Sequence, residues 1–130
     1  MKLKIAVLPG DGIGPEVTNQ SIKVLNCIAD KYNHKVELTE GLVGAIAIDE
    51  YNDPYPESTH MLCKDSDAIL FGAIGDPKYD NDPKAKVRPE QGLLKMRKKL
   101  GLFANLRPTI IFESLLDMSP IKEERIKDTD

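Results

Sequence analysis

With 130 residues, 41% of them hydrophobic, and a net charge of −3, the chain has the size and composition of one ordinary globular domain. No apolar run reaches the roughly eighteen residues of a membrane-spanning helix, and Pro9-Gly10 interrupts the start before a signal-peptide core could develop, so a cytoplasmic address is expected. The charge is uneven: residues 84–99 hold seven basic side chains and one acid, a basic island in an otherwise acidic chain.

Residues 3–8 read as a strand that Pro9-Gly10 stops. Asp11-Gly12-Ile13-Gly14-Pro15-Glu16 follows, a turn whose glycines let the backbone bend tightly and approach a ligand. Pro15 suits the first position of a helix, and Glu16 suits the positive end of its dipole. Val17, Val24, Leu25, Ile28 and Tyr32 recur at helical spacing and predict an amphipathic helix over about 15–32. The loop is not a dinucleotide fingerprint, because Pro15 stands where G-x-G-x-x-G needs its third glycine. It is not a P-loop either, since no Gly-Lys-Ser/Thr follows. It is a tight strand-to-helix corner or a ligand-lining loop of another kind.

Residues 35–39 predict a second strand, parallel to the first by way of the helix. Short helices are expected at 45–51 and 57–64, with Asn52-Asp53-Pro54-Tyr55-Pro56 as the turn between them. The apolar run 67–72 predicts a strand buried on both faces. Alternating strands and helices make the class α/β with a parallel sheet. Gly72-Ala73-Ile74-Gly75-Asp76-Pro77-Lys78-Tyr79-Asp80 leaves the carboxyl end of this strand, as residues 10–14 leave the first, and ligands of parallel sheets bind beyond such ends. Residues 76–89 read as a long polar loop, a candidate lid. Cys27 and Cys63 are expected to be two buried, reduced thiols. His34 and His60 are not at metal-ligand spacing from them.

The densest chemistry lies in residues 88–108. The chain has four arginines against fourteen lysines, and Arg88, Arg97 and Arg107 all fall here. Arginine is the side chain for a planar, bidentate grip on a carboxylate or phosphate. Glu90 and the apolar pair Leu93-Leu94 sit among them. Two readings stand: a pocket for a small anion with an alkyl tail, or an amphipathic helix with a lysine-rich solvent face. A helix is expected over 90–100, with Leu93, Leu94, Met96 and Leu100 as its apolar side and Gly101 as its stop. A strand at 109–112 and a charged helix from Ser119-Pro120 to about Lys127 complete the chain. That last helix has no following strand, so the chain is expected to be the amino-terminal portion of a longer one. Nucleic acid is a further candidate for the basic island, but residues 84–99 contain no aromatic side chain for stacking.

Leu8-Pro9-Gly10-Asp11-Gly12-Ile13-Gly14-Pro15-Glu16-Val17 resembles the opening of the isocitrate/isopropylmalate family of β-decarboxylating dehydrogenases. Arg88-Pro89-Glu90-Gln91-Gly92-Leu93-Leu94, then Met96-Arg97-Lys98 and Leu102-Phe103-Ala104-Asn105-Leu106-Arg107-Pro108, are similar to the isopropylmalate branch of that family. The loop Gly75-Asp76-Pro77-Lys78-Tyr79-Asp80 is similar to its Gly-Gly-Pro-Lys-Trp-Asp, departing at Asp76 and Tyr79. The resemblance covers essentially the whole chain, with four motifs in order.

The resemblance implies a parallel-rich α/β sheet that is not a Rossmann fold, with residues 1–101 in a cofactor-side domain and 102–130 opening a second, dimerisation and substrate domain. It implies NAD-dependent oxidative decarboxylation of 3-isopropylmalate, a step of leucine biosynthesis, with Mg2+ or Mn2+ and a homodimer as partners. Arg97 and Arg107 would hold substrate carboxylates, Leu93 and Leu94 the isopropyl group, and Glu90 would lie between substrate and nicotinamide. Ile13, Gly72, Ala73, Ile74, Gly75, Asp76, Pro77 and Lys78 would line the cofactor. No catalytic residue or metal ligand is expected within the 130 residues, which alone would be inert. Arg88 receives no role. An isocitrate carboxylate buried against Leu93 and Leu94 would be costly, whereas an isopropyl group there gains a few kcal/mol. Tartrate and methylmalate are less sharply separated.

Overall fold

The computed structural model describes residues 1–80, 86–108 and 112–126. Three parallel strands form one sheet: β1 (Lys2–Gly10), β2 (Lys35–Glu40) and β3 (Ala68–Ala73), in the order β2-β1-β3. Helix α1 (Gly14–Lys31) makes the first crossover. Helices α2 (Ala45–Tyr51) and α3 (Glu57–Lys64) make the second, which carries the chain past β1 to its other side. The short α4 (Pro77–Asp80) and then α5 (Pro89–Lys99) follow. A 3-10 helix at Glu113–Met118 and a single turn, α6 (Glu123–Ile126), complete the described elements.

The two faces of β1 are separated by the period of two along a strand. Ala6 and Leu8 enter a buried cluster with Val43, Tyr55, Cys63 and Met96, to which Ile69 and Phe71 of β3 and Leu93 and Leu100 add half-buried surface. Ile5 and Val7, equally buried, point to the opposite face. The register Val7↔Leu70 and Leu8↔Phe71 keeps these two faces in step across β3. The ladder continues through Gly10↔Ala73, so Pro9-Gly10 does not stop the strand. Pro9 has no N–H to contribute, but Gly10 brings the chain against β3: a Cβ there would lie 1.9 Å from the Ala73 carbonyl oxygen.

Several expectations are corrected. The inward face of α1 is Gly14, Thr18 and Ala29, with half-buried Ile22 and Leu25, whereas Val17, Val24, Ile28 and Tyr32 are 45–60% exposed. The helix carries two apolar stripes, and the sheet takes the one that runs from Gly14 and Thr18 through Ile22 and Leu25 to Ala29, where an added Cβ at Gly14 would lie 2.1 Å from the Pro9 carbonyl oxygen. Strand β3 is only half-buried, because it is an edge of the described sheet and β1 is the centre. Cys27 is exposed on α1, while Cys63 is buried as expected. Residues 76–89 begin with a helix rather than a loop. The final helix begins at Glu123 rather than near Pro120 and is preceded by a 3-10 helix, and its expected end near residue 127 lies outside the described residues. Most of the strand expected at 109–112 lies outside the described residues.

Candidate functional site

The loops after β1 and β3 meet at the carboxyl edge of the sheet, and Asp11 binds them together. Its backbone N–H donates to the Ala73 carbonyl at 2.8 Å. Its carboxylate, 6% exposed, accepts three backbone N–H groups: Ala45 at 2.8 Å and Gly75 at 3.1 Å on Oδ2, and Ile46 at 3.1 Å on Oδ1. Ala45 and Ile46 open α2, so a side chain 34 residues away serves the free N–H groups of that helix. The approach depends on Gly44, whose φ is +86° and whose added Cβ would lie 2.2 Å from Asp11 Oδ2. Only glycine meets both requirements.

Helix α5 presents the other half of the site. Gln91 accepts the Arg88 N–H at 3.2 Å, a partial capping box, and Pro89 opens the first turn. Arg88 itself lies 3.9 Å from Asp80. A Cβ built at Gly75 would be 3.4 Å from Glu90 Oε1, so the Glu90 carboxylate stands beside the second glycine loop. Three residues on, Leu93 packs against the core, whereas Leu94 is 63% exposed. Arg97 borders a pocket of about 260 Å³ with Leu102, Phe103, Ala104, Asn105 and Leu106. Arg107 lies on the exposed run 101–108, which includes the fully exposed Phe103. Arg107 follows the residues that line this pocket with Arg97, but no lining of a described pocket includes both arginines.

The second loop has its own anchors. Asp76 accepts the Lys78 N–H at 2.9 Å and starts α4. Lys78 Nζ and the Tyr79 hydroxyl both donate to Asp49 of α2, at 2.5 and 2.7 Å. The hydrogen bond from Lys78, then that from Tyr79, holds the Asp49 carboxyl below its ordinary range. Asp49 pushes the Lys78 ammonium and the Tyr79 hydroxyl upward in turn. Lys78, expected at the cofactor, is engaged with α2. Ile74 packs on the core, and Ile13 is 57% exposed at the start of α1.

Two lysines of the basic island are paired with acids. Lys95 bonds both oxygens of Asp53 at 2.6 and 2.7 Å, and Lys99 bonds Glu57 at 2.5 Å. Sequence reasoning missed Asp11 and Asp49. Their signal was weak: each is an acid in a loop or short helix whose partners lie 29 to 64 residues away.

A three-stranded parallel sheet with interlocked glycine loops at its carboxyl edge defines an α/β protein whose candidate site lies beyond the strand ends. The chain belongs to the isocitrate/isopropylmalate dehydrogenase family, whose model matches residues 4–130. It is 55% identical over 130 residues to the 3-isopropylmalate dehydrogenases of Bacteroides fragilis and Bacillus subtilis. It covers 37% and 35% of their lengths, so it spans about a third of the curated relatives it matches. Among solved structures, a β-decarboxylating dehydrogenase from Thermococcus kodakarensis superposes with a TM-score of 0.62 at 33% identity, over 78% of this chain and 27% of that one.

Proposed function

We propose that the chain is the amino-terminal part of an NAD-dependent 3-isopropylmalate dehydrogenase and acts within a protein of its relatives' length. The observation that carries this reading is the 55% identity, along the whole chain, to enzymes of that name. The geometry supports it where the Glu90 carboxylate borders the Gly75 loop, with Ile13 exposed at the end of the first loop.

In this reading Ile13 and the backbone of the loop after β3 line the cofactor NAD, and Glu90 lies between the substrate and the nicotinamide, which accepts the hydride. Arg97 and Arg107 hold substrate carboxylates by bidentate hydrogen bonds. Leu94 and the outer edge of Leu93 cover the isopropyl group, a contact that a third carboxylate could not replace without a desolvation cost. Gly101, with φ +67°, ends α5, and residue 102 begins a second domain. Among the described residues no group of three His, Cys, Asp or Glu side chains could hold a cation. In this reading the divalent ion and the acid–base groups are supplied, as the family resemblance implies, by residues outside this segment and, in part, by a second subunit. Among the described residues no helix is long and apolar enough to cross a membrane.

The test is NAD reduction by the full-length protein with 3-isopropylmalate, isocitrate, tartrate or methylmalate. Activity with 3-isopropylmalate is expected to dominate, and a clear preference for another acid would reassign the substrate. Arg107→Ala is expected to lower kcat/KM about 100-fold or more, and Arg97→Lys about 10-fold despite keeping its charge. Normal activity in either variant would remove the carboxylate-clamp assignment. Residues 1–130 alone are expected to reduce no NAD.

A further inference from the structure

We propose that Asp11 is the positioning residue for the cofactor-side loop, and that it sets NAD affinity through the Gly75 peptide without touching NAD. The inference rests on the dehydrogenase reading for its ligand, but its structural half stands on geometry alone. The loop 72–77 could be placed by strand β3 on one side and by α4 on the other. Gly75, with a φ of +136°, belongs to neither element. Its N–H is directed instead at Asp11 Oδ2, at 3.1 Å. The same oxygen takes the Ala45 N–H and the other oxygen the Ile46 N–H. One buried carboxylate therefore fixes three elements relative to each other: the end of β1, the start of α2 and the loop after β3. The Gly75 peptide is in turn the neighbour of Glu90 and of Gly12, whose added Cβ would lie 3.7 Å from the Gly75 carbonyl oxygen. Moving Gly75 moves the surface that the two glycine loops and Glu90 share.

An asparagine keeps the shape but has only one acceptor oxygen, whereas all three neighbours are donors. Either orientation of the amide sets an NH2 against a backbone N–H. A carboxylate is thus required, and a group of the same size does not replace it. The role belongs to the loop and not to the sheet, since β1 is held on both sides by its own ladders.

The experiment compares wild type with Asp11→Asn in the full-length protein, at a temperature where both are folded. Steady-state kinetics are expected to give a KM for NAD raised tenfold or more, with the KM for 3-isopropylmalate changed less than twofold. Parallel rises in both constants, or an unchanged KM for NAD in a merely less stable protein, would overturn the proposal. Amide exchange supplies a readout independent of activity and, for wild type, of any variant. In wild type the amides of Ala45, Ile46 and Gly75 are expected to share one protection level. A Gly75 amide that exchanges as fast as exposed loop amides would refute the tether even if the variant failed to fold. Should the full-length protein reduce no NAD with any of the acids, the dehydrogenase reading fails while the exchange measurement still decides the tether.

Discussion

Replacing Gly92 with alanine sets local preference against tertiary packing, and the two predict opposite signs. Gly92 sits in the interior of α5, where alanine is favoured over glycine by about 1 kcal/mol. The helix alone therefore predicts a gain. In the fold, Gly92 is buried against the turn between α2 and α3: an added Cβ would lie 2.5 Å from the Pro54 carbonyl oxygen and 3.0 Å from Pro54 C and Cβ. Carbon and oxygen in ordinary contact stand about 3.3 Å apart, so α5 must withdraw by roughly 0.8 Å. The obstacle is backbone and cannot rotate away. Withdrawal also pulls on Lys95, bonded to Asp53, and on Met96, which is 5% exposed in the core. Overpacking of this kind costs about 1–3 kcal/mol. With the helical gain subtracted, the net expectation is a loss of up to about 2 kcal/mol. Urea denaturation of the full-length variant is expected to show a lower midpoint with an unchanged slope. Because α5 carries Glu90 and Arg97, kcat/KM is expected to fall as well. A midpoint raised by the equivalent of ~1 kcal/mol would refute the packing argument and leave helix propensity as the deciding effect.

Leu94→Asn alters a side chain that is 63% exposed, so stability is expected to hold within about 0.5 kcal/mol while the preference for 3-isopropylmalate over isocitrate narrows. An unchanged substrate ratio would remove Leu94 from the pocket wall. For Asp49 the folded pKa is depressed by Lys78 and Tyr79, so the loop-to-α2 anchor contributes above the ordinary carboxylate range and is lost as the pH falls through the depressed value. A carboxyl titration by NMR is expected to show a higher midpoint for Asp49 in Lys78→Ala than in wild type, and equal midpoints would contradict the assignment. Among the two thiols, Cys27 is exposed, whereas Cys63 is buried and its thiol pushed up by that burial, against a smaller opposing hydrogen bond from Tyr55. A thiol reagent is expected to modify Cys27 in the native protein and Cys63 only on unfolding. Rapid native labelling of Cys63 would mean that the Tyr55–Cys63 core opens.

The order of elements was legible from residue pattern. Period-two and period-3.6 repeats, together with Gly and Pro punctuation, placed β1, α1, β2, α2, α3, β3 and α5 within a few residues, because each is decided by local geometry. The recurrence of Glu90, Leu93, Arg97 and Arg107 in one stretch likewise singled out residues 88–108 for a proposal, since arginine is scarce in this chain and chemically distinct from lysine. Which apolar face of α1 meets the sheet was not legible. Gly14, Thr18 and Ala29, with half-buried Ile22 and Leu25, lie inward while Val17, Val24 and Ile28 face out, and since both stripes recur at helical spacing no repeat within the helix says which one the sheet takes. The strand order β2-β1-β3 likewise made β1 the centre and left β3 at an edge, a matter of pairing between segments and not of composition. Asp11 shows the same limit. Within its own loop it is an acid between two glycines. Only the folded chain brings the N–H groups of Ala45, Ile46 and Gly75 to its carboxylate, across separations of 34, 35 and 64 residues. Local pattern determines what each segment becomes, and tertiary structure decides which buried group each segment must satisfy.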